Sequence, residues 1–265
     1  MRDRTGRHRR DFSPHTLGPG LDVSASDAAR GRVERLTAAQ PTVPGLHGTA
    51  QILDQLCRAA TLDLPASGVA ISLHSETGVS VMAAASDVVS ESVEELQFTF
   101  GEGPCVDAFT SRRPVLTGDL DADGAFRWPG YSFAAAEHGV RAVFAFPLAV
   151  GDSCLGALDV FRTHYGPLSP QAMGGALAFA AHATATLLTG QEQAGPNQPP
   201  TGLDDVLASR FEVHQAQGML TVQLGVGLEE ALVRLRAHAF AHGRSLGLVA
   251  GDVLAGTLVI ERDQP

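Results

Sequence analysis

Lysine is missing from this chain: all 19 of its Lys and Arg positions are arginine. Against them stand 29 Asp and Glu, for a formal charge of −10. That balance excludes bulk electrostatic attraction to nucleic acid or an anionic membrane as the activity of the whole molecule, and leaves only a local basic face open. Cysteine is scarce, with Cys57, Cys105 and Cys154 alone. An odd number at wide spacing is no disulfide framework, and neither a CxxC pair nor a zinc-type Cys/His spacing is present. Aromatic residues make up 6% of the chain, so packing must rest on Ala, Val and Leu. The arginine-rich head, Met1 to Arg10, is followed by no apolar run and so does not read as a secretory leader. The longest apolar stretch, "AMGGALAFAAHATATLL", carries His182 and many small residues, and fits a packed helix better than a membrane span. The expectation is a soluble, cytoplasmic protein with no membrane association.

What is present suffices for a sizeable core: 265 residues, 44% of them hydrophobic. Residues 1–45, rich in Arg, Gly, Ser, Pro and Ala, read as a flexible arm with room for a short helix at 28–39. From Leu46 the spacing of Leu46, Ala50, Leu53, Leu56 and Cys57 predicts a helix. "GVAISLH" and "VSVMAAAS" then read as strands about a "SETG" turn. "SDVVSESVEELQ" reads as a helix capped by Ser86 or Asp87. "RPVLTGDL" gives a short strand, and "RAVFAFPLAV" and "CLGALDVFRT" two more. Ser169 and Pro170 open a last long helix reaching about Leu188. Strands flanked by helices in this order predict an α+β domain with an antiparallel sheet over 46–189. "GQEQAGPNQPPTG", 190–202, reads as a linker. Beyond it, 203–260 holds three helical patterns that form a small all-α module.

The densest local signal is "GEGPCVDAF", Gly101–Phe109. Without the P-loop's Lys and Ser/Thr, its two glycines serve turn geometry rather than a phosphate. Cys105 has two readings, a small core residue or a thiol activated at a helix start. His238 and His242, four apart, have no third ligand in the sequence, so no metal site and no catalytic residue is assigned, and the cofactor is left open.

The C-terminal module resembles the ANTAR family of RNA-binding antitermination domains. Arg210, Val213, Ala216, Gly218, Leu220, Glu230, Ala231, Leu235, Arg236, Ala239, Leu246, Val249 and Ala250 carry the likeness. One position departs: Gln217 stands where the family has Lys. Between Leu203 and Pro265 there are five Arg against eight Asp and Glu, so RNA binding would need local placement and shape rather than bulk charge. The middle domain resembles the GAF family of small-molecule sensors through "FGEGPCVDAF", "RPVLTGDL" and "GVRAVFAFPLAVGDSCLGALDVF".

The pair of resemblances implies a transcription antitermination regulator. Its ANTAR module would bind hairpin loops of nascent RNA under control of the GAF domain, as a homodimer that meets RNA polymerase only indirectly. The family implies an RNA surface of exposed polar residues, assigned to Arg210, Gln217, Arg236, Arg244 and Ser245. A small-molecule pocket is expected between the sheet and the segment 101–131, lined by Val81, Phe100, Cys105, Phe126, Trp128 and Phe144. The chain is read as no enzyme. One alternative is a sensor whose helical module binds a protein. A remoter one is a free methionine sulfoxide reductase using Cys105 and Cys154.

Overall fold

The computed structural model of the chain describes residues 23–74, 80–195 and 198–260, with the side chains of 23–26, 205–207, 209 and 210 outside that set. The head of the predicted arm, 1–22, and the "SETG" turn lie outside the described residues.

Five antiparallel strands form one sheet in the order β2-β1-β5-β4-β3. They are β1 (Gly68–His74), β2 (Ser80–Ala85), β3 (Val115–Thr117), β4 (Ala142–Val150) and β5 (Ser153–Arg162). Period-2 alternation divides their side chains between two layers. Val69 and Ile71 of β1, Phe144 and Phe146 of β4, and Leu158 and Val160 of β5 face a core shared with α2 (Gly48–Asp63) and α7 (Pro170–Ala194). Ala70, Val143, Ala145 and Phe161 face the other way, toward α3 (Val88–Phe100), α4 (Pro104–Ser111) and α6 (Pro129–Glu137). Between β3 and α6 a π-helical turn, Leu120–Gly124, leads into the three-residue α5 (Ala125–Arg127).

Local chemistry sets the helix ends. Asp87 caps α3 by accepting from the N–H groups of Val89 and Ser90. Ser169 caps α7, with Pro170 at its first position. Gly101 ends α3 in the left-handed conformation, φ 70°.

Two segments differ from the sequence reading. The arm is helical from residue 23: α1 (Val23–Ala38) packs on α2 and α7, and its Val33 joins the core because an apolar stripe on α7 is there to be covered. The proline-rich connection is tied down rather than free. Thr201 O accepts from Thr49 N at 2.8 Å, and Leu203 is fully buried in the sheet core.

The C-terminal module is three helices: α8 (Asp204–Leu224), α9 (Leu228–Ala241) and α10 (Leu246–Leu254). Val213, Ala216, Leu220, Ala231, Leu235, Ala239, Val249 and Ala250 form its own core. The small residues let the helices approach closely. Ser245 caps α10, its Oγ accepting from Leu248 N at 3.3 Å.

Candidate functional site

Two arrangements flank α3. The first is a buried polar cluster between α3, the start of α4 and the sheet. Ser72 and His74 point to that face because they share the parity of Ala70 on β1. Asp159, opposite Ala70 and Ala145 in the register, points there from β5. Glu94 and Gln97 reach in from α3, three apart and so on one side of it. Cys105 arrives at the second position of α4.

Gln97 organises the cluster. Its Nε2 donates to Glu94 Oε2 at 2.9 Å and to Asp159 Oδ2 at 2.6 Å, and its Oε1 accepts from Cys105 N at 2.9 Å. Gly103 must be glycine here. Its φ is 145°, and a Cβ would meet Gln97 Oε1 at 2.3 Å. His74 is held by Ser80 Oγ on Nδ1 (2.8 Å) and Ser72 Oγ on Nε2 (3.0 Å), and stacks on Phe109 with centroids 4.9 Å apart. Glu94 Oε1, Asp159 Oδ1 and Tyr131 Oη are buried without a hydrogen-bond partner. Burial pushes the Glu94 carboxyl up, and burial together with the Glu94 charge pushes Asp159 well up. Burial first, then the charges of Glu94 and Asp159, raises the Cys105 thiol well above its ordinary range.

This corrects the activated-thiol reading of Cys105. A helix start does favour the thiolate, but complete desolvation and two neighbouring carboxyls oppose it more strongly.

The second arrangement is the face where the helical module meets α3. Arg236 Nε donates to the carbonyl of Phe98 at 2.9 Å, and its guanidinium lies against Gly101. Phe100 packs on Phe240 with ring centroids 4.8 Å apart. Leu246 N, at the start of α10, donates to Glu95 Oε1 at 3.2 Å. Burial holds Glu95 up at about 7, while the bond from Leu246 draws it down.

The residues assigned to RNA fall into different environments. The side chain of Arg210 lies outside the described residues. Gln217, expected on the surface, is 3% exposed. Its Nε2 donates to Leu228 O at 2.7 Å, closing the α8–α9 corner. Arg236, also expected to face solvent, is turned onto α3. On the same helix Arg234 pairs with Glu230 at 2.9 Å. Arg244 pairs with Asp252 at 2.7 Å on the surface, and Ser245 serves as a cap.

The six residues assigned to a pocket do not line one cavity. Val81 and Phe144 belong to the α2/α7 core, on the opposite side of the sheet from Cys105, Phe100 and Trp128. Trp128 is core, with its indole N–H given to Asp107 at 3.2 Å, and Phe126 is 93% exposed. A cavity of ≈ 300 Å³ lies elsewhere, among Leu73, Cys154, Leu187, Gln191, Pro200 and Leu203, walled in part by the connecting segment.

Sequence reasoning missed Glu94, Gln97, Asp159 and His74 as a group. The signals were slight: an Asp inside the apolar strand "ALDVF", and Glu and Gln on the apolar side of α3.

The domain is an antiparallel sheet with helices on both faces, and the chain belongs to the GAF family. The GAF domain model matches residues 47–187, more than half of the 265. The ANTAR domain model matches residues 202–254, so the chain joins a GAF domain to an ANTAR domain. No curated protein is similar in sequence. Among solved structures the fold is similar to the GAF domain of a phosphoenolpyruvate-protein phosphotransferase from Coxiella burnetii. That pair is 16% identical, covers 65% of this chain and 98% of the other, and has a TM-score of 0.50. A domain of a two-component sensor histidine kinase from Sinorhizobium meliloti is 18% identical over 52% of this chain and 89% of its own, at a TM-score of 0.43. The free methionine-R-sulfoxide reductase from Neisseria meningitidis is 17% identical over 64% and 95%, at a TM-score of 0.43. Among the described residues one helix, α7, is long and apolar enough to cross a membrane by length and composition, and 39% of its most apolar window is buried within the protein.

Proposed function

We propose that this protein is a transcription antitermination regulator in which the GAF domain controls access of the ANTAR module to hairpin loops in nascent RNA. The pairing of the two domains supports an RNA-binding regulator under sensor control. The observation that carries the reading is Arg236. It lies inside the ANTAR match and is one of the residues on which the sequence resembles that family, and its Nε donates to a backbone carbonyl of the GAF helix α3. A guanidinium is the group best suited to phosphate or a base edge, so docking withholds it. The docked form is then the RNA-silent one, and a signal that loosens the α3 face releases the module.

The protein acts in the cytoplasm as a homodimer, whose two modules engage two hairpins with avidity, and it meets RNA polymerase only through the transcript. A small molecule is the signal expected of the GAF domain. Catalysis is no part of this reading, because a reductase needs a thiol within reach of its substrate and Cys105 is fully buried.

The test is a gel shift of the full chain against RNA carrying two short hairpins, at low salt. Binding that weakens in Arg210→Ala and Arg244→Ala supports the reading. No binding by parent or by a docking-released variant overturns it. In that event the acidic module, with its Gln217 buried, fits a protein partner instead. Turnover of free methionine sulfoxide would overturn the non-enzymatic assignment.

A further inference from the structure

The buried cluster under α3 holds a donor set that neither the fold nor RNA binding requires. One ligand atom from each of His74, Glu94 and Cys105 lies within 4.8 Å of the other two. A tetrahedral zinc ion with bonds of about 2.0–2.3 Å separates its ligands by roughly 3.3–3.8 Å. Side-chain adjustments of about 1 Å therefore suffice to close these three around an ion. His74 is 7% exposed, and Glu94 and Cys105 are 0% exposed.

We propose that His74, Glu94 and Cys105 bind one divalent transition-metal ion, zinc by the chemistry of the set. Thiolate, imidazole and carboxylate together favour zinc over magnesium or calcium, which take oxygen ligands. The free ligand capacity is in place. Glu94 Oε2 is engaged by Gln97, while Oε1 makes no complete hydrogen bond and the carboxyl lies among Asp159, Ser72 and Cys105. Asp159 is not one of the three; its Oδ2 accepts from Gln97 and so ties that amide to the sheet, and the fourth position is left to water. The outer support is of the kind metal ligands need. Ser80 holds the His74 ring at Nδ1, Nε2 would exchange its 3.0 Å contact with Ser72 Oγ for the ion, and Gln97 fixes both carboxylates. Two carboxyls buried together are costly if ionised, and a dication offsets that cost. On binding, the Cys105 sulfur gives up its proton to solvent and bonds the metal as thiolate.

The experiment uses the full chain, stripped with chelator and dialysed against Zn²⁺, with Co²⁺ as the spectroscopic probe. Elemental analysis is expected to find about one ion per chain at this site. Retention should fall at least tenfold in His74→Gln, Glu94→Gln and Cys105→Ser. The cobalt form should show a thiolate charge-transfer band that survives in a Cys57→Ser/Cys154→Ser background, where Cys105 is the only thiol. Zinc-edge X-ray absorption on the parent needs no variant at the site and so decides even if those variants misfold. One sulfur among nitrogen and oxygen ligands supports the site. A sulfur-free shell, as the stacked His238–His242 pair would give, overturns it. Failure of the parent to retain zinc also overturns it.

Discussion

Gly101→Ala separates docking from RNA recognition, because it adds one methyl group on the GAF side and leaves every ANTAR residue intact. A Cβ at Gly101 would meet Arg236 Nη1 at 2.5 Å, Cζ at 2.7 Å and Nε at 3.1 Å. All three atoms belong to the end of one flexible side chain. The clash is therefore relieved by moving Arg236 off the Phe98 carbonyl rather than by shifting backbone. The lost bond has a charged donor, and such bonds contribute about 1.5–3 kcal/mol net. That moves the docked–undocked equilibrium by roughly 10- to 100-fold. A second cost falls on the GAF domain alone: Gly101 sits at φ 70°, where alanine is strained by about 1–2 kcal/mol. The assay pairs hydrogen exchange with RNA binding on the full chain. Exchange at Leu246 N, which is protected by Glu95 across the interface, should speed up. Apparent RNA affinity should rise by the same factor, up to the limit where the undocked form dominates. Faster exchange at Leu246 with unchanged RNA affinity would refute the claim that docking masks the RNA surface. Unchanged exchange would refute the claim that Arg236 holds the interface.

Further outcomes follow from other positions. Gly156→Ala should destabilise the sheet by about 3 kcal/mol or more, since its Cβ would lie 1.8 Å from the Ser72 carbonyl oxygen on the paired strand; an unchanged denaturation midpoint would contradict the β1–β5 register. Asp87→Ala should cost about 1–2 kcal/mol through loss of the α3 cap. Burial alone would raise Asp87, but hydrogen bonds from Ser86, Ser90 and the N–H groups of Ser90 and Val89 outweigh it and hold its pKa below the usual 3.8. Its contribution to stability is therefore complete above that value and is lost as pH falls through the lowered pKa; comparing urea midpoints of parent and Asp87→Asn from about pH 6 down to about pH 2 reads the difference. A bulky maleimide should label Cys154 first in the native protein, because Cys57 and Cys105 are buried; early labelling of Cys105, located by peptide mass, would restore the activated-thiol reading.

Much of the scaffold was legible because its signals are local. Ser169–Pro170 announces a helix start, Asp87 sits one residue before an apolar helical stripe, and β4 alternates visibly between two cores. What failed needed a partner from far away in the chain. Gln217 reads as surface by residue type, yet its amide is consumed by the first carbonyl of the next helix. Arg236 reads as a free cation, yet its acceptor is 138 residues away. The connecting segment looks unstructured by composition, but Leu203 finds a place in the sheet core and Thr201 pairs with Thr49. Val81 and Phe144 were grouped with Cys105 by apolar character, whereas strand parity puts them on the opposite face of the sheet. The polar cluster was the least legible of all. Its members come from β1, α3, α4 and β5, and no spacing in the sequence links them.

The turn between α3 and α4 brings these features together. Helix α3 turns Glu94 and Gln97 inward to the cluster and presents Glu95 and the Phe98 carbonyl outward to the ANTAR module. Its last turn ends at Gly101, whose N–H bonds the Gln97 carbonyl and whose α-carbon faces Arg236. Two residues on, Gly103 presses its α-carbon on the Gln97 side chain, and Cys105 N binds the same amide. Neither glycine has room for a side chain, and the obstacle differs: Arg236 for one and Gln97 for the other. Gln97 is thus joined through its backbone to the residue that receives the module, and through its side chain to the residues that would hold the ion. A rearrangement of Glu94 or Cys105 that displaces Gln97 has one turn of helix and a three-residue loop to cross before it reaches Arg236. Packed side chains shift between discrete arrangements rather than deform continuously. A chemical event in the cluster therefore has a short, physically continuous route to the docking contact, and "GEGPC" is the segment that supplies it.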